Sequence, residues 1–233
     1  MIKSFLMLGQ SNMAGRGDFG EVPEIKNPLC KMLRNGRWIT MSEPINPDRA
    51  IFGTLYHSGI GLAASFADEY AKHFSEEIGL IPCADGGTKI SEWQPGGELF
   101  DNAVAQARLA QRTSEIVGIL WHQGESDSSA EDDAKNYYER FKNTMDTLKG
   151  ELGLSEDVPV IIGELGSFIA EFKDGKCKCF DDVNRTLKAL SDEYGAFVSA
   201  EGLVCKDDGL HFTSASYREF GKRYFEAYLG TVK

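Results

Sequence analysis

The sequence predicts an α/β protein, a three-layer α/β/α sandwich built on a five-stranded parallel sheet. Three observations lead to this fold class. Short apolar runs recur along the chain, amphipathic stretches of helical length separate them, and glycine or polar turns bound each run. Strands that alternate with helices form right-handed crossovers, which place parallel strands in one sheet with helices on both faces.

The apolar runs are of strand length and rich in aliphatic and β-branched residues, as is typical of strands buried on both faces. They cover residues 4–8, 79–84, 116–121, 158–162 and 196–199.

The stretches between the runs repeat their apolar residues at steps of three and four, which is typical of helices with one buried face. In one of them, Leu62, Phe66 and Tyr70 follow this spacing. The predicted helices cover residues 61–74, 102–112, 137–152, 182–194 and 215–228.

The bulk composition fits one globular domain over residues 1–233, with 42% hydrophobic and 26% charged residues. The formal net charge of -11 disfavours nucleic acid and anionic membrane surfaces as partners, and it favours a neutral substrate unless a local basic patch intervenes. The short apolar run after Met1 lacks the pattern of a secretory signal, so a cytoplasmic location is expected. The oligomeric state is not predictable from these features.

No metal or organic cofactor is expected. The five cysteines are scattered, and Cys177 and Cys179 lack the second ligand pair of a zinc site, so we interpret residues 173–180 as a solvated surface hairpin. The G-x-G-x-x-G pattern at residues 15–20 is followed by Pro23 and Pro28 and opens no helical pattern, which argues against a dinucleotide site.

Polar and glycine residues follow the strands at the points where a parallel sheet binds its ligands. These blocks are Gly9-Gln10-Ser11-Asn12-Met13, Asp85-Gly86-Gly87-Thr88 with Trp93 beyond it, His122-Gln123-Gly124-Glu125-Ser126-Asp127, and Asp207-Asp208-Gly209-Leu210-His211.

The blocks contain the groups that acyl transfer needs. A serine hydroxyl such as Ser11 is a weak nucleophile until an imidazole removes its proton, and His211 lies three residues after a carboxylate, Asp208, that would orient it. The tetrahedral intermediate also needs hydrogen-bond donors for its oxyanion. Candidates are the backbone N–H of Ser11, a backbone N–H at Gly86 or Gly87, and the side-chain amide of Gln123.

Several residues near these blocks have both a structural and a functional interpretation. Ser11 alone is also compatible with a helix N-cap. His122 ends a buried strand and can simply hydrogen-bond a neighbouring loop, whereas Trp93 is either core or a wall on which a sugar stacks. The proline-rich stretch 14–58 is interpreted as one wall of the substrate cleft, from which Arg16 could contact substrate.

In their order along the chain, these blocks resemble those of SGNH hydrolases. More narrowly, they are similar to carbohydrate esterase family 6 and the sialate O-acetylesterase-like branch, which includes acetylxylan esterases. The resemblance spans residues 9–211 and implies the flavodoxin-like SGNH hydrolase fold. It implies Ser11 as nucleophile and first oxyanion donor, His211 as base with Asp208 as its partner, and Gly86 as the second donor. It also implies that Gln123 replaces the asparagine that the wider superfamily has in its third block.

The resemblance further implies a serine esterase that removes O-acetyl groups from carbohydrate, such as acetylxylan or acetylated xylo-oligosaccharides, through an acetyl-Ser11 intermediate. Gln10 and Asn12 would support the nucleophile or contact the substrate. Glu125 would orient Gln123 or the Ser11 loop, or compete with Asp208 for the histidine. A sialate O-acetylesterase or another short-acyl esterase is the first alternative, and a non-catalytic carbohydrate-binding domain is the second. The acetylated sugar and the ester position remain open.

Overall fold

The computed structural model describes residues 1–48 and 57–232. Its centre is a seven-stranded sheet with the order β3-β2-β4-β1-β5-β6-β7. All neighbours pair in parallel except β2 and β3, which form an antiparallel hairpin at one edge. The strands are β1 (Ile2–Gly9), β2 (Cys30–Arg34), β3 (Arg37–Thr40), β4 (Ile78–Pro82), β5 (Ser114–His122), β6 (Val160–Gly163) and β7 (Gly195–Val198).

Helices cover both faces of the sheet, as predicted. They are α1 (Ser11–Ala14), α2 (Leu62–Phe74), α3 (Glu98–Gln111), α4 (Glu131–Leu152), α5 (Phe180–Tyr194) and α6 (Ser214–Thr231). β1 shows why both faces need cover, since Leu6 and Leu8 pack with α3, α4 and α5 while Phe5 and Met7 pack with α2 and α6. Successive side chains of a strand point to opposite faces, so an apolar run without alternation needs a helix layer on each side.

The predicted fold class is confirmed, but the predicted number of five strands is too small. The two additional strands, β2 and β3, come from the proline-rich stretch 14–58, which the sequence pattern indicates only as a loop. This hairpin extends the sheet beyond β4, and Trp38 of β3 approaches Gly79 of β4 so closely that a β-carbon there would lie 2.6 Å from its ring.

The order of strands reverses at β1, because β2, β3 and β4 lie on one side of it and β5, β6 and β7 on the other. Crevices open at such switch points beyond the carboxyl ends of the strands. The segments after β1, β4 and β5 therefore meet there. None of the described helices has the length and hydropathy that crossing a membrane requires.

Candidate active site

The turn that presents Ser11 depends on a glycine. Gly9 has φ of +134°, and a β-carbon there would lie 2.0 Å from the carbonyl oxygen of His122. Only glycine allows this approach without displacing backbone. The close contact lets the Gln10 N–H donate to the His122 carbonyl at 3.0 Å, and α1 begins at the next residue. Gln10 is the residue that precedes the helix, so Ser11 is not an N-cap.

Ser11, His211 and Asp208 form a continuous hydrogen-bonded series. Ser11 Oγ lies 2.9 Å from His211 Nε2, and His211 Nδ1 lies 2.8 Å from Asp208 Oδ2. The Ser11 residue is 5% exposed, whereas the Asp208 side chain is 43% exposed. The three groups are therefore in the spatial relation in which an imidazole can take the serine proton while a carboxylate stabilises the resulting cation.

The Asp208 carboxylate is held by its own turn. Its Oδ1 accepts hydrogen bonds from the N–H groups of Leu210 and His211, each at 2.9 Å, and Gly209, which lies between Asp208 and Leu210, adopts φ of +68°. Partial burial acts to raise the pKa of Asp208, but the hydrogen bonds from His211 and Leu210 outweigh it and hold the pKa below its ordinary range. The neighbouring Asp207 is exposed, as expected for a solvated side chain.

The residues that carry the candidate oxyanion donors line the same cleft as Ser11. Gly86 and Gly87 line the cleft, and a β-carbon on Gly86 would lie 3.6 Å from Ser11 Cβ and 2.5 Å from Arg16 Nη2. Within residues 1–48 and 57–232, the N–H groups of Ser11, Gly86 and Gly87 donate to no protein acceptor. They are thus available to an oxyanion beside Ser11.

The assignment of Gln123 as an oxyanion donor is wrong on geometry. Its side chain is fully buried, and its amide nitrogen donates to Asp127 Oδ2 at 2.6 Å and to the Thr88 carbonyl at 3.0 Å and lies 3.1 Å from the side-chain amide of Gln10. Its carbonyl oxygen accepts from Tyr137 at 2.8 Å. Gln123 thus braces the block after β5 against Thr88 and Gln10, and it does not line the cleft.

Gln10 lines the cleft beside Ser11, with its side-chain amide packed into the block after β5. In one orientation of the amide, Oε1 accepts from the N–H groups of Gly124 and Ser126. In the other, the nitrogen donates to the Thr88 carbonyl and to Glu125 Oε2, each at 3.2 Å. Either arrangement supports the nucleophile turn.

Asn12, Glu125 and His122 form a buried polar cluster behind the cleft. Asn12 Nδ2 donates to Glu125 Oε1 at 2.5 Å, and His122 Nε2 lies 3.3 Å from the same oxygen without hydrogen-bond alignment. Burial acts to raise the pKa of Glu125, but the His122 ring and the Asn12 amide stabilise the carboxylate and hold the pKa below its ordinary range. Asn12 and His122 thus have supporting positions. Glu125 contacts Asn12 of the Ser11 loop and does not contact His211. Asp208 is therefore the carboxylate that pairs with His211.

Trp93, Gln94 and Asp127 do not line the cleft. Trp93 is core rather than a sugar-stacking wall, because it is 1% exposed, packs edge-on against Trp121 and donates to Thr88 Oγ1. Gln94 binds Thr144, and Asp127 is buried against the N–H of Ile90. Of the two interpretations of Trp93, the structure therefore supports the core residue.

The cleft itself encloses about 400 Å³, and its outer wall comes from a segment that the sequence analysis missed. Phe172, Lys173, Lys176 and Cys177 follow β6 and face Ser11 and His211 across the cleft. The sequence signal for this loop is its place after Gly163, the last residue of β6, because ligands lie beyond the carboxyl ends of parallel strands. Of the described residues in stretch 14–58, Arg16 lines the cleft; residues 49–56 of that stretch lie outside the described residues.

The wall is basic although the protein is acidic. Arg16, Lys89, Lys173 and Lys176 line the cleft. Lys89 pairs with Asp133 at 2.6 Å, but Lys173 and Lys176 are exposed and form no ion pair within the described parts of the chain. A local basic patch of this kind removes the objection to anionic substrates that the net charge of -11 raised.

The interpretation of residues 173–180 as a solvated hairpin is also wrong. The segment is a series of turns, and its Cys177 and Cys179 are buried. Burial raises the pKa of the Cys177 thiol, and its Sγ lies 3.5 Å from the Glu125 carbonyl. Among the described residues, no three His, Cys, Asp or Glu side chains cluster in the manner of a metal site.

Comparison with known proteins identifies the family of this chain. The family model described as "Carbohydrate esterase, sialic acid-specific acetylesterase" matches residues 2–230. A probable carbohydrate esterase of Arabidopsis thaliana is 30% identical over 247 residues, which cover 97% of this chain and 89% of that relative.

Solved structures show the same fold. The crystal structure of an Arabidopsis thaliana protein matches with a TM-score of 0.85 and 29% identity over 98% of each chain. NanS matches with a TM-score of 0.77 and 17% identity over 98% of this chain and 97% of its own. A carbohydrate acetylesterase from Xanthomonas citri matches with a TM-score of 0.63 and 15% identity over 97% of this chain and 55% of its own. The chain belongs to the sialic acid-specific acetylesterase family of carbohydrate esterases and is a carboxylic ester hydrolase with the SGNH fold.

Proposed function

We propose that residues 1–233 act as one domain that hydrolyses O-acetyl groups on carbohydrate through an acetyl-Ser11 intermediate. The observation that carries the proposal is the series from Ser11 Oγ through the His211 ring to Asp208, with distances of 2.9 and 2.8 Å, at the bottom of a cleft. Hydrogen bonds of this length link nucleophile, base and orienting carboxylate in serine hydrolases.

In the proposed reaction, His211 Nε2 takes the Ser11 proton as Oγ attacks the acetyl carbon. The oxyanion that forms receives hydrogen bonds from the N–H groups of Ser11 and Gly86 or Gly87, where each donor is worth roughly 10²–10³ in rate. His211 then returns the proton to the departing sugar hydroxyl. In the deacylation half-reaction, His211 takes a proton from water as the water oxygen attacks the acetyl carbon of acetyl-Ser11. Acetate then leaves as His211 returns the proton to Ser11 Oγ.

Two substrate classes follow from different observations. The cleft of about 400 Å³ fits a short acyl group on a sugar, which keeps acetylated xylo-oligosaccharides as a candidate. The exposed Lys173 and Lys176 favour a second candidate, an O-acetylated sugar that carries a carboxylate, such as an acetylated sialic acid. The family description also supports the second candidate.

The experiment is acetate release from acetylated xylo-oligosaccharides and from acetylated sialic acid, with wild type, Ser11→Ala and chelator-treated protein. Release that survives chelation and disappears in Ser11→Ala supports the proposal. Sugar binding without acetate release would instead favour the non-catalytic carbohydrate-binding domain. Faster turnover of octanoyl than of acetyl esters would favour another acyl substrate.

A further inference from the structure

Asn12 links the two loops that must meet for the proposed reaction. It follows Ser11 directly and is 1% exposed. Its Nδ2 donates to the Leu210 carbonyl at 3.2 Å, and its Oδ1 accepts from the Phe212 N–H at 3.4 Å. Leu210 and Phe212 flank His211 in the chain, so the Asn12 side chain hydrogen-bonds the backbone on both sides of the base.

The remaining hydrogen-bonding capacity of Asn12 is also used. Oδ1 accepts from the Tyr217 hydroxyl at 2.6 Å, and Nδ2 donates to Glu125 Oε1 at 2.5 Å. An amide offers two donor hydrogens and two acceptor sites, and all four have partners here. Exchanging its oxygen and nitrogen would place the nitrogen against the Phe212 N–H and the oxygen against the Leu210 carbonyl and the Glu125 carboxylate, so these three contacts set the orientation of the amide.

The histidine loop, residues 206–212, is only partly buried, and Asp207 and Asp208 within it are exposed. The Lys206 N–H donates to the His211 carbonyl at 2.8 Å within the loop, and Lys206 Nζ donates to the Arg16 carbonyl at 2.9 Å and pairs with Asp18. These contacts hold the start of the loop to the segment after α1 and do not reach residues 10–14. Apart from the Ser11–His211 contact itself, every hydrogen bond between residues 10–14 and 206–212 in the described chain involves Asn12.

We propose that Asn12 is a positioning residue that holds His211 at working distance from Ser11, and that the buried carboxylate of Glu125 fixes the Asn12 amide in the required orientation. The inference rests on the proposed function, and it adds an indirect role for two residues that do not touch the reacting atoms. Displacements of about 1 Å at such a site can cost around 100-fold in rate.

The test compares Asn12→Ala, Glu125→Ala, the double variant and Glu125→Gln in acetate release. Asn12→Ala should lower kcat by roughly 10- to 100-fold with KM unchanged, because positioning acts on the reaction step. Glu125→Ala should lower kcat in the wild-type background but not in the Asn12→Ala background, since coupled residues are non-additive. Glu125→Gln, which keeps an acceptor for Asn12, should restore most of kcat.

A second readout needs no sugar. The rate at which a small organophosphonate labels Ser11 should fall in parallel with kcat, so the inference remains testable even if wild type releases no acetate from any sugar. Ser114→Ala is the control for a general loss of stability. Ser114 begins β5, at the end of the strand away from the cleft, and it is buried and hydrogen-bonded to Ser4 of β1. It should change neither rate.

Tyr217→Phe removes one contact of Asn12 and provides a milder variant should Asn12→Ala fail to fold. It should lower kcat and the labelling rate by a smaller factor than Asn12→Ala. Unchanged kcat and labelling in folded Asn12→Ala, or in folded Tyr217→Phe if Asn12→Ala does not fold, would overturn the role of Asn12. Additive effects of Asn12→Ala and Glu125→Ala would overturn the action of Glu125 through Asn12.

Discussion

The floor and the outer wall of the cleft are built in different ways. On the floor, Gln10, Ser11 and Glu125 are buried and tied to neighbouring loops by hydrogen bonds. On the wall, Lys173 and Lys176 are exposed, and Lys173 lies in a run of residues with positive φ. A rigid floor can fix the reacting atoms, whereas an exposed wall can change with the substrate. Chemistry and recognition should therefore be separable by mutation.

The largest effect is expected on the floor. Ser11→Ala removes the nucleophile, and loss of such a group lowers kcat by about 10⁴-fold or more. The change should leave substrate affinity almost intact because the wall is untouched. Initial rates of acetate release measure the first expectation, and equilibrium binding of the acetylated sugar measures the second. Ser155→Ala, an exposed serine remote from the cleft, is the control and should have wild-type activity.

Asp208→Asn should have the next largest effect. The amide can still accept from the Leu210 and His211 N–H groups, but it no longer stabilises an imidazolium, and such a change costs about 10⁴ in the best-studied serine protease. The matched control is Asp207→Asn, which alters the adjacent exposed carboxylate. If the two variants lose activity equally, Asp208 is not the partner that orients His211.

A smaller and selective effect is expected at the wall. Lys173→Gln with Lys176→Gln should raise KM for a carboxylate-bearing acetylated sugar by around tenfold, and added salt should weaken wild-type recognition in the same direction. Turnover of a neutral acetylated xylo-oligosaccharide should stay unchanged. Lys178→Gln is the control, since Lys178 pairs with Glu131 and does not line the cleft. An equal loss of activity on both sugars would show that Lys173 and Lys176 do not recognise the substrate carboxylate.

The smallest effects concern stability, and they should differ in sign between two carboxyl groups of one loop. Burial raises the pKa of Asp127 to about 6, so the folded state binds a proton more tightly than the unfolded state does. Stability relative to Asp127→Asn should therefore decrease as pH rises from about 4 to 6. The pKa of Glu125 is held below its ordinary value of 4.5. Its contribution relative to Glu125→Gln should be fully present above that value and be lost as pH falls through the lower folded-state pKa.

Urea unfolding of the three proteins between pH 3.5 and 7 measures these differences. The absolute free energies will also contain the hydrogen bonds that each amide alters, so the change with pH is the informative quantity. Parallel pH dependences for the two variants would contradict the opposite environments of Glu125 and Asp127.

The sequence predicted the sheet and the floor better than the wall. Apolar runs and the polar blocks after them are local patterns, so the five predicted strands and the positions of Ser11, Asp208 and His211 could be recognised. Gln123 was misplaced, and Trp93 could not be assigned to core or cleft, because residue type and strand-end position do not determine which way a side chain points. The hairpin of β2 and β3 carries no strong apolar pattern. The path of residues 172–177 depends on turns with positive φ at Lys173, Asp174 and Gly175, which hydrophobic patterning does not encode.

The most direct test of the central claim is to find the acetyl group on Ser11. Protein mixed with an acetylated sugar is quenched in acid during turnover, digested and examined by mass spectrometry. We expect one added acetyl group on the peptide that contains Ser11, absent from Ser11→Ala and enriched in variants whose deacylation is slowed. Steady acetate release with no acetyl group on Ser11 in any of these proteins, or an acetyl group on another residue, would contradict the account.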